Sequence, residues 1–209
     1  MTSWIRRPFT APGLTQIPPG PHLHAVQARI GGTVMLCIDV SGSMSGRPLA
    51  EAGRGARQFV AEAVAAHYNV GVILWDTGVA ALAEPTTDGA AATAVLDSAH
   101  SRGGTNLLPA LIRCHEVLDS FTGDRVVAVF GDGDLGPSKD AVLEKAARMK
   151  AEDIRFVTRG LGAHAAREFS DISSEDAQST VIDDVAHLAE GITDMASSLK
   201  PHGLSRQLR

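Results

Sequence analysis

Aromatic side chains are scarce in this chain: six Phe, two Trp and one Tyr among 209 residues. A core must therefore be built from Val, Ile, Leu and Ala, the residues of parallel strands covered by helices. Cysteine is scarcer still. Cys37 and Cys114 are too few for a disulfide framework, and both sit inside apolar patterns. They read as small buried hydrophobes, which makes a reducing cytoplasm the expected location. Positive charge is not gathered anywhere: the net charge is −5, and only Arg6-Arg7 and the short end Lys200 to Arg209 are basic. Nucleic acid is thereby excluded as the expected partner. No apolar run reaches the roughly 20 residues of a membrane span. Pro8 to Pro21 follows Arg6-Arg7 where a secretory signal would carry its apolar stretch.

What the chain does have is a regular alternation of strand and helix signals. Residues 1–32 form a Pro- and Gly-rich arm with an edge strand expected at His22 to Ile30. From Thr33 onward a single domain is expected to run to Leu199, followed by a short basic tail, residues 200–209. Continuous apolar runs predict strands at Thr33–Asp39, Val70–Trp75, Arg125–Phe130 and Ile154–Thr158, and a last one at Thr180–Ile182. Val79–Ala83, after the turn Asp76-Thr77-Gly78, predicts an antiparallel edge strand. Between them, apolar residues recur at helical spacing. Pro48 and Pro109 each fall in a first turn, where proline is tolerated. The last helix is expected to run unbroken from Asp184 to about Leu199, with Val185, Leu188, Ile192, Met195 and Leu199 on one face. This order implies an α/β fold: a doubly wound, mostly parallel Rossmann-like sheet with one antiparallel edge strand and helices on both faces.

In such a sheet the loops after the strands open on one edge, where ligands bind. Three of those loops carry oxygen donors. The first is Asp39-Val40-Ser41-Gly42-Ser43. The second is Gly103-Gly104-Thr105-Asn106, and the third is Asp132 within Gly131-Asp132-Gly133. Taken singly, each has an ordinary explanation: Ser41 and Ser43 as turn residues, Thr105 as a helix N-cap, Asp132 as a turn aspartate. Together they place two carboxylates and three hydroxyls around one centre, a donor set suited to a hard divalent cation such as Mg²⁺, with Mn²⁺ or Ca²⁺ as further candidates.

The Asp39-x-Ser41-x-Ser43 string, the Gly-Gly-Thr-Asn loop with Thr105, and the late Asp132-Gly133 resemble the metal-ion-dependent adhesion site of a von Willebrand factor A-type domain. The resemblance covers roughly Thr33 to Leu199. It implies that Ser41, Ser43 and Thr105 bind the ion directly, while Asp39 and Asp132 act through water or by orienting the hydroxyls. Neutral hydroxyls quench a dication poorly, so an open position would accept an Asp or Glu carboxylate from a partner protein. The implied function is a non-catalytic, cytoplasmic protein-interaction module, suited to a bacterial multi-protein system.

Two other functions compete. In a haloacid-dehalogenase-type phosphatase, Asp39 would be the nucleophile and Gly131-Asp132-Gly133-Asp134 the late metal loop. Ser41 then stands where a second carboxylic acid is needed. The other is a scaffold of the same fold that needs no metal. Asp76 and Asp134 read as turn residues, Trp75 as core, and His67, His100, His115 and His187 as scattered helix residues without zinc-ligand spacing.

Overall fold

The computed structural model describes residues 32–176 and 181–199. The arm with its expected strand at 22–30, the tail at 200–209 and Thr180 lie outside the described residues. Within them, β1 (Gly32–Asp39) leads through a short 3₁₀ turn (Gly42–Met44) into α1 (Arg47–Ala65). There follow β2 (Tyr68–Trp75), β3 (Val79–Thr86), α2 (Ala90–Asp97), α3 (Leu108–Leu118), β4 (Arg125–Gly131) and α4 (Lys139–Ala151). The chain continues through β5 (Ile154–Leu161), α5 (Gly162–Ser170), β6 (Val181–Ile182) and α6 (Leu188–Asp194).

The six strands form one sheet in the order β3-β2-β1-β4-β5-β6. Only β3 runs antiparallel to its neighbour. The expected fold class is therefore the observed one. β1 is buried along its whole length because it is sandwiched between β2 and β4 and covered on both faces. Its alternate residues feed two cores. Val34, Leu36 and Ile38 pack under α1 and α6, whereas Met35 and Cys37 pack under α3 and α4. Trp75 lies fully buried in the second core, as expected.

At the sheet's other edge, Asp124 accepts a fork of bonds from Arg155, Nε to Oδ1 at 2.8 Å and Nη2 to Oδ2 at 2.6 Å, and another from Tyr68 Oη. This polar clamp fastens the starts of β2, β4 and β5 together. A buried carboxylate held by a bidentate guanidinium is among the stronger polar arrangements.

Two expectations need correction. The final segment is not one continuous helix. A 3₁₀ turn at Val185–His187 precedes α6 and another at Met195–Ser198 follows it. The apolar face survives, with Leu188, Ile192, Met195 and Leu199 all buried. Side chains compete for the backbone at both ends: Asp184 Oδ1 accepts from Ala186 N at 2.8 Å, and Ser197 Oγ donates to Asp194 O at 2.7 Å. The histidines are also not all helical. His67 follows the end of α1 with φ of 64°, a left-handed residue terminating the helix, and His100 lies in the loop after α2. Among the described residues no helix is long and apolar enough to cross a membrane.

Candidate metal centre

The three donor loops meet at the carboxyl ends of β1, β2 and β4. Backbone bonds fasten the first two directly: Gly42 N donates to Gly103 O at 3.2 Å, and Arg102 N donates to Val40 O at 2.8 Å. The third joins them through Leu107 N to Leu135 O at 3.3 Å. Convergence is therefore built into the main chain and does not depend on the side chains of the site.

Those side chains form a connected line. Asp39 ends β1 with no exposed surface, and its Oδ1 accepts from Ser41 N at 2.8 Å. Ser41 Oγ and Ser43 Oγ are 3.0 Å apart, and Ser43 Oγ donates to Asp132 Oδ1 at 2.8 Å. A hydroxyl has one hydrogen, so Ser41 must be the donor to Ser43. Burial grades outward, from Asp39 and Ser41 at the floor to Ser43 at the exposed rim. Thr105 sits half-buried opposite, its Oγ1 3.6 Å from where a side chain on Gly133 would begin.

The ordinary explanation of Thr105 fails. α3 has Leu107 at its N-cap, and it is Asn106 Oδ1 that accepts from Leu108 N at 3.3 Å. Thr105 Oγ1 is thus left without a role in capping the helix.

Electrostatically the floor is unfinished. Asp39 Oδ2 is buried and has no hydrogen-bond partner. Burial pushes the Asp39 carboxyl up to about 6 against the counter-pull of the Ser41 N–H and hydroxyl and of the Asp132 backbone, and the nearby Asp132 carboxylate adds to the rise. A buried anionic oxygen with no donor, facing a second carboxylate across two hydroxyls, is a site short of positive charge. The donor set fits a hard cation on that ground. Among the described residues no cluster of three His, Cys, Asp or Glu side chains could hold a metal, so any ion here would depend on the hydroxyls.

A family model described as the von Willebrand factor type A domain matches residues 34–134. That stretch contains Asp39, Ser41, Ser43, Thr105 and Asp132. Over that stretch the chain is similar to this family. Solved structures carry the same fold at low identity. The von Willebrand factor type A protein from Catenulispora acidiphila superposes with a TM-score of 0.67 at 19% identity over 80% of this chain. The chain spans 42% of that protein's length. The vWF domain of the type V pili tip protein Mfa5 from Porphyromonas gingivalis gives 0.69 at 12% identity, covering 80% of this chain and 94% of that one. The conserved hypothetical protein BatB from Bacteroides thetaiotaomicron gives 0.62 at 17%, covering 81% and 98%. No curated protein matches the chain.

One residue outside the sequence-derived set supports the site. Asp76, at the end of β2, is nearly buried. Its Oδ2 accepts from Arg102 Nε at 3.1 Å, its Oδ1 from Gly78 N at 3.0 Å, and its carbonyl from Asn106 N at 2.7 Å. Asp76 is indeed a turn residue, but it also grips both flanks of the Thr105 loop. Asp134 is exposed and bonds within its own turn, Oδ1 accepting from Gly136 N at 2.8 Å. Replacing Asp76 by Ala leaves the Gly78 N–H without its bond and frees Arg102. A loss of about 1–3 kcal/mol is expected, with faster amide exchange concentrated in residues 101–106. Exchange in that loop equal to wild type would show that backbone bonds alone hold it.

Proposed function

We propose that this domain binds a divalent cation, Mg²⁺ foremost, at the convergence of Asp39, Ser41, Ser43, Thr105 and Asp132, and uses it to take up an Asp or Glu carboxylate of a partner protein. The observation that carries this reading is the unpartnered, buried Asp39 Oδ2 beneath a line of hydroxyls ending at Asp132. Ser41, Ser43 and Thr105 would supply oxygen ligands, and Asp39 and Asp132 would orient them and balance charge. A bound cation supplies a Lewis-acidic position facing solvent. The exposed rim at Ser43 leaves room for an acidic side chain to reach it.

This domain does the positioning. The buried end of β1 fixes Asp39, its carboxylate fixes the Ser41 N–H, and Asp76 fixes the loop that presents Thr105. Interaction, not turnover, is the reading we favour. A phosphatase of the haloacid-dehalogenase type would need an acid where Ser41 donates to Ser43. The structural neighbours include the vWF domain of a type V pili tip protein and a pilus adhesin.

The test is titration of Mg²⁺ into chelator-stripped protein, followed by calorimetry and thermal midpoint. At a hundredfold excess over Kd, binding stabilises by about 2.7 kcal/mol. That should lift the midpoint by several degrees in wild type and not in Thr105→Ala. Capture of a partner should then require Mg²⁺ and fail in EDTA. No heat and an unmoved midpoint would leave a metal-independent scaffold as the answer.

A further inference from the structure

The chain has two cysteines, 77 residues apart, and they touch. Cys37 lies in β1 and Cys114 in α3, and their sulfurs are 3.3 Å apart, both fully buried. As independent small hydrophobes they would have no reason to be neighbours. The two are the only cysteines in the apolar cluster that surrounds them. We propose that Cys37 and Cys114 are a covalent modification site: under oxidising conditions they form an intramolecular disulfide that staples β1 to α3.

The geometry is close to what the bond needs. A disulfide holds its sulfurs at about 2.05 Å, so the pair must close by about 1.3 Å. Cys37 is two residues from Asp39, and α3 begins three residues after Thr105. The staple would therefore fix the strand that delivers the first loop against the helix that follows the second. It stands whether or not a cation binds there.

The reaction balances with a small-molecule disulfide such as oxidised glutathione as oxidant. One thiol, as thiolate, attacks a sulfur of that reagent and releases one reduced glutathione. The second protein thiol, losing its proton, attacks the resulting mixed disulfide and releases the other. Two protein thiols are oxidised and one external disulfide is reduced. Burial, with the Cys37 thiol beside it, pushes the Cys114 thiol well up, so the closed pair is unreactive and exchange waits on local opening. In a reducing compartment the pair stays as thiols. In an oxidising one it is cross-linked.

The 209-residue protein should be equilibrated in glutathione buffers of graded redox ratio from two directions: starting native, and refolding from denaturant so that both thiols meet oxidant before burial. Alkylation and peptide mass spectrometry then read the product. The expected product is one cross-linked peptide pair joining Cys37 to Cys114, with a thermal midpoint roughly 5–15 °C above that of the reduced protein, given a loop of this length. Cys114→Ala should abolish both. If refolding in oxidant yields free thiols, separate glutathione adducts or intermolecular dimers, the assignment is overturned. Formation from either direction sustains it.

Discussion

Replacing Asp39 by Asn is expected to stabilise the metal-free protein above neutral pH while abolishing its response to Mg²⁺. The wild-type carboxylate sits buried with Oδ2 unpartnered, and its folded-state value is raised from 3.8 to about 6. Between those two values the folded protein holds the Asp39 proton more tightly than the unfolded chain does. Stability contributed by this group is therefore present below pH 4, declines as pH rises, and is fully lost above about 6. That difference corresponds to roughly 3 kcal/mol. Asn removes the charge but leaves a buried amide group in place of Oδ2, so a net gain of about 1–3 kcal/mol is expected at pH 7.5 in EDTA. For a domain of this size that is a few degrees or more in midpoint.

The gain should vanish below pH 4, where wild-type Asp39 is itself neutral. With Mg²⁺ at pH 7.5 the order should reverse, because the cation relieves the charge that makes wild type the weaker protein. Midpoints of both proteins from about pH 3 to 8, with and without Mg²⁺, check this. An Asn variant less stable than wild type in EDTA at pH 7.5 would mean that the floor of the site is not short of positive charge.

The fold was largely legible because its central strands are apolar on both faces. Thr33–Asp39 and Arg125–Phe130 need no periodicity to be recognised, only continuity, and the structure lengthens them by one residue each. β3 also runs where Val79–Ala83 predicted it, extended through Pro85 to Thr86 as an edge strand can be. The ends of helices were less legible, since they are decided by local competition for backbone groups. Asp184 caps the first 3₁₀ turn and Ser197 bonds back to Asp194 in the last one, so the segment is divided although its apolar spacing of three and four is unbroken.

The site divides the same way. Asp39, Ser41, Ser43 and Asp132 sit on strand ends whose order alone brings them to one edge, and they are found bonded in a line. The Asp76–Arg102 bond, the Cys37–Cys114 contact and the placement of His115 were not legible. His115, expected as a scattered helix residue, is buried with Nε2 2.6 Å from Glu152 and Nδ1 2.6 Å from Lys145. Each of these depends on how far one element slides against another, a quantity no spacing rule carries.

A single methyl group at Gly160 should cost more than any change at the rim of the site. Gly160 is the penultimate residue of β5, just before α5 turns back over the sheet. A Cβ there would lie 2.2 Å from Ala166 N, 2.5 Å from Ala165 C and 2.6 Å from Ala166 Cα. These are backbone atoms, so no rotamer change relieves the clash, and α5 must lift away from β5. Phe169 of that helix packs near Gly131, whose own Cβ would fall 2.8 Å from the ring and 3.0 Å from Asp39 Oδ2. Lifting α5 thus also loosens the packing beside the buried carboxylate. We expect Gly160→Ala to destabilise by about 3 kcal/mol or more and to weaken Mg²⁺ binding without touching a ligand.

Gly78→Ala provides the contrast, because nothing lies within 4 Å of its Cβ position and its φ is not left-handed. There the added methyl only restricts the unfolded chain, and a change between neutral and a gain of about 1 kcal/mol is expected. Equal thermal midpoints for the two variants would show that α5 yields to the methyl group without penalty.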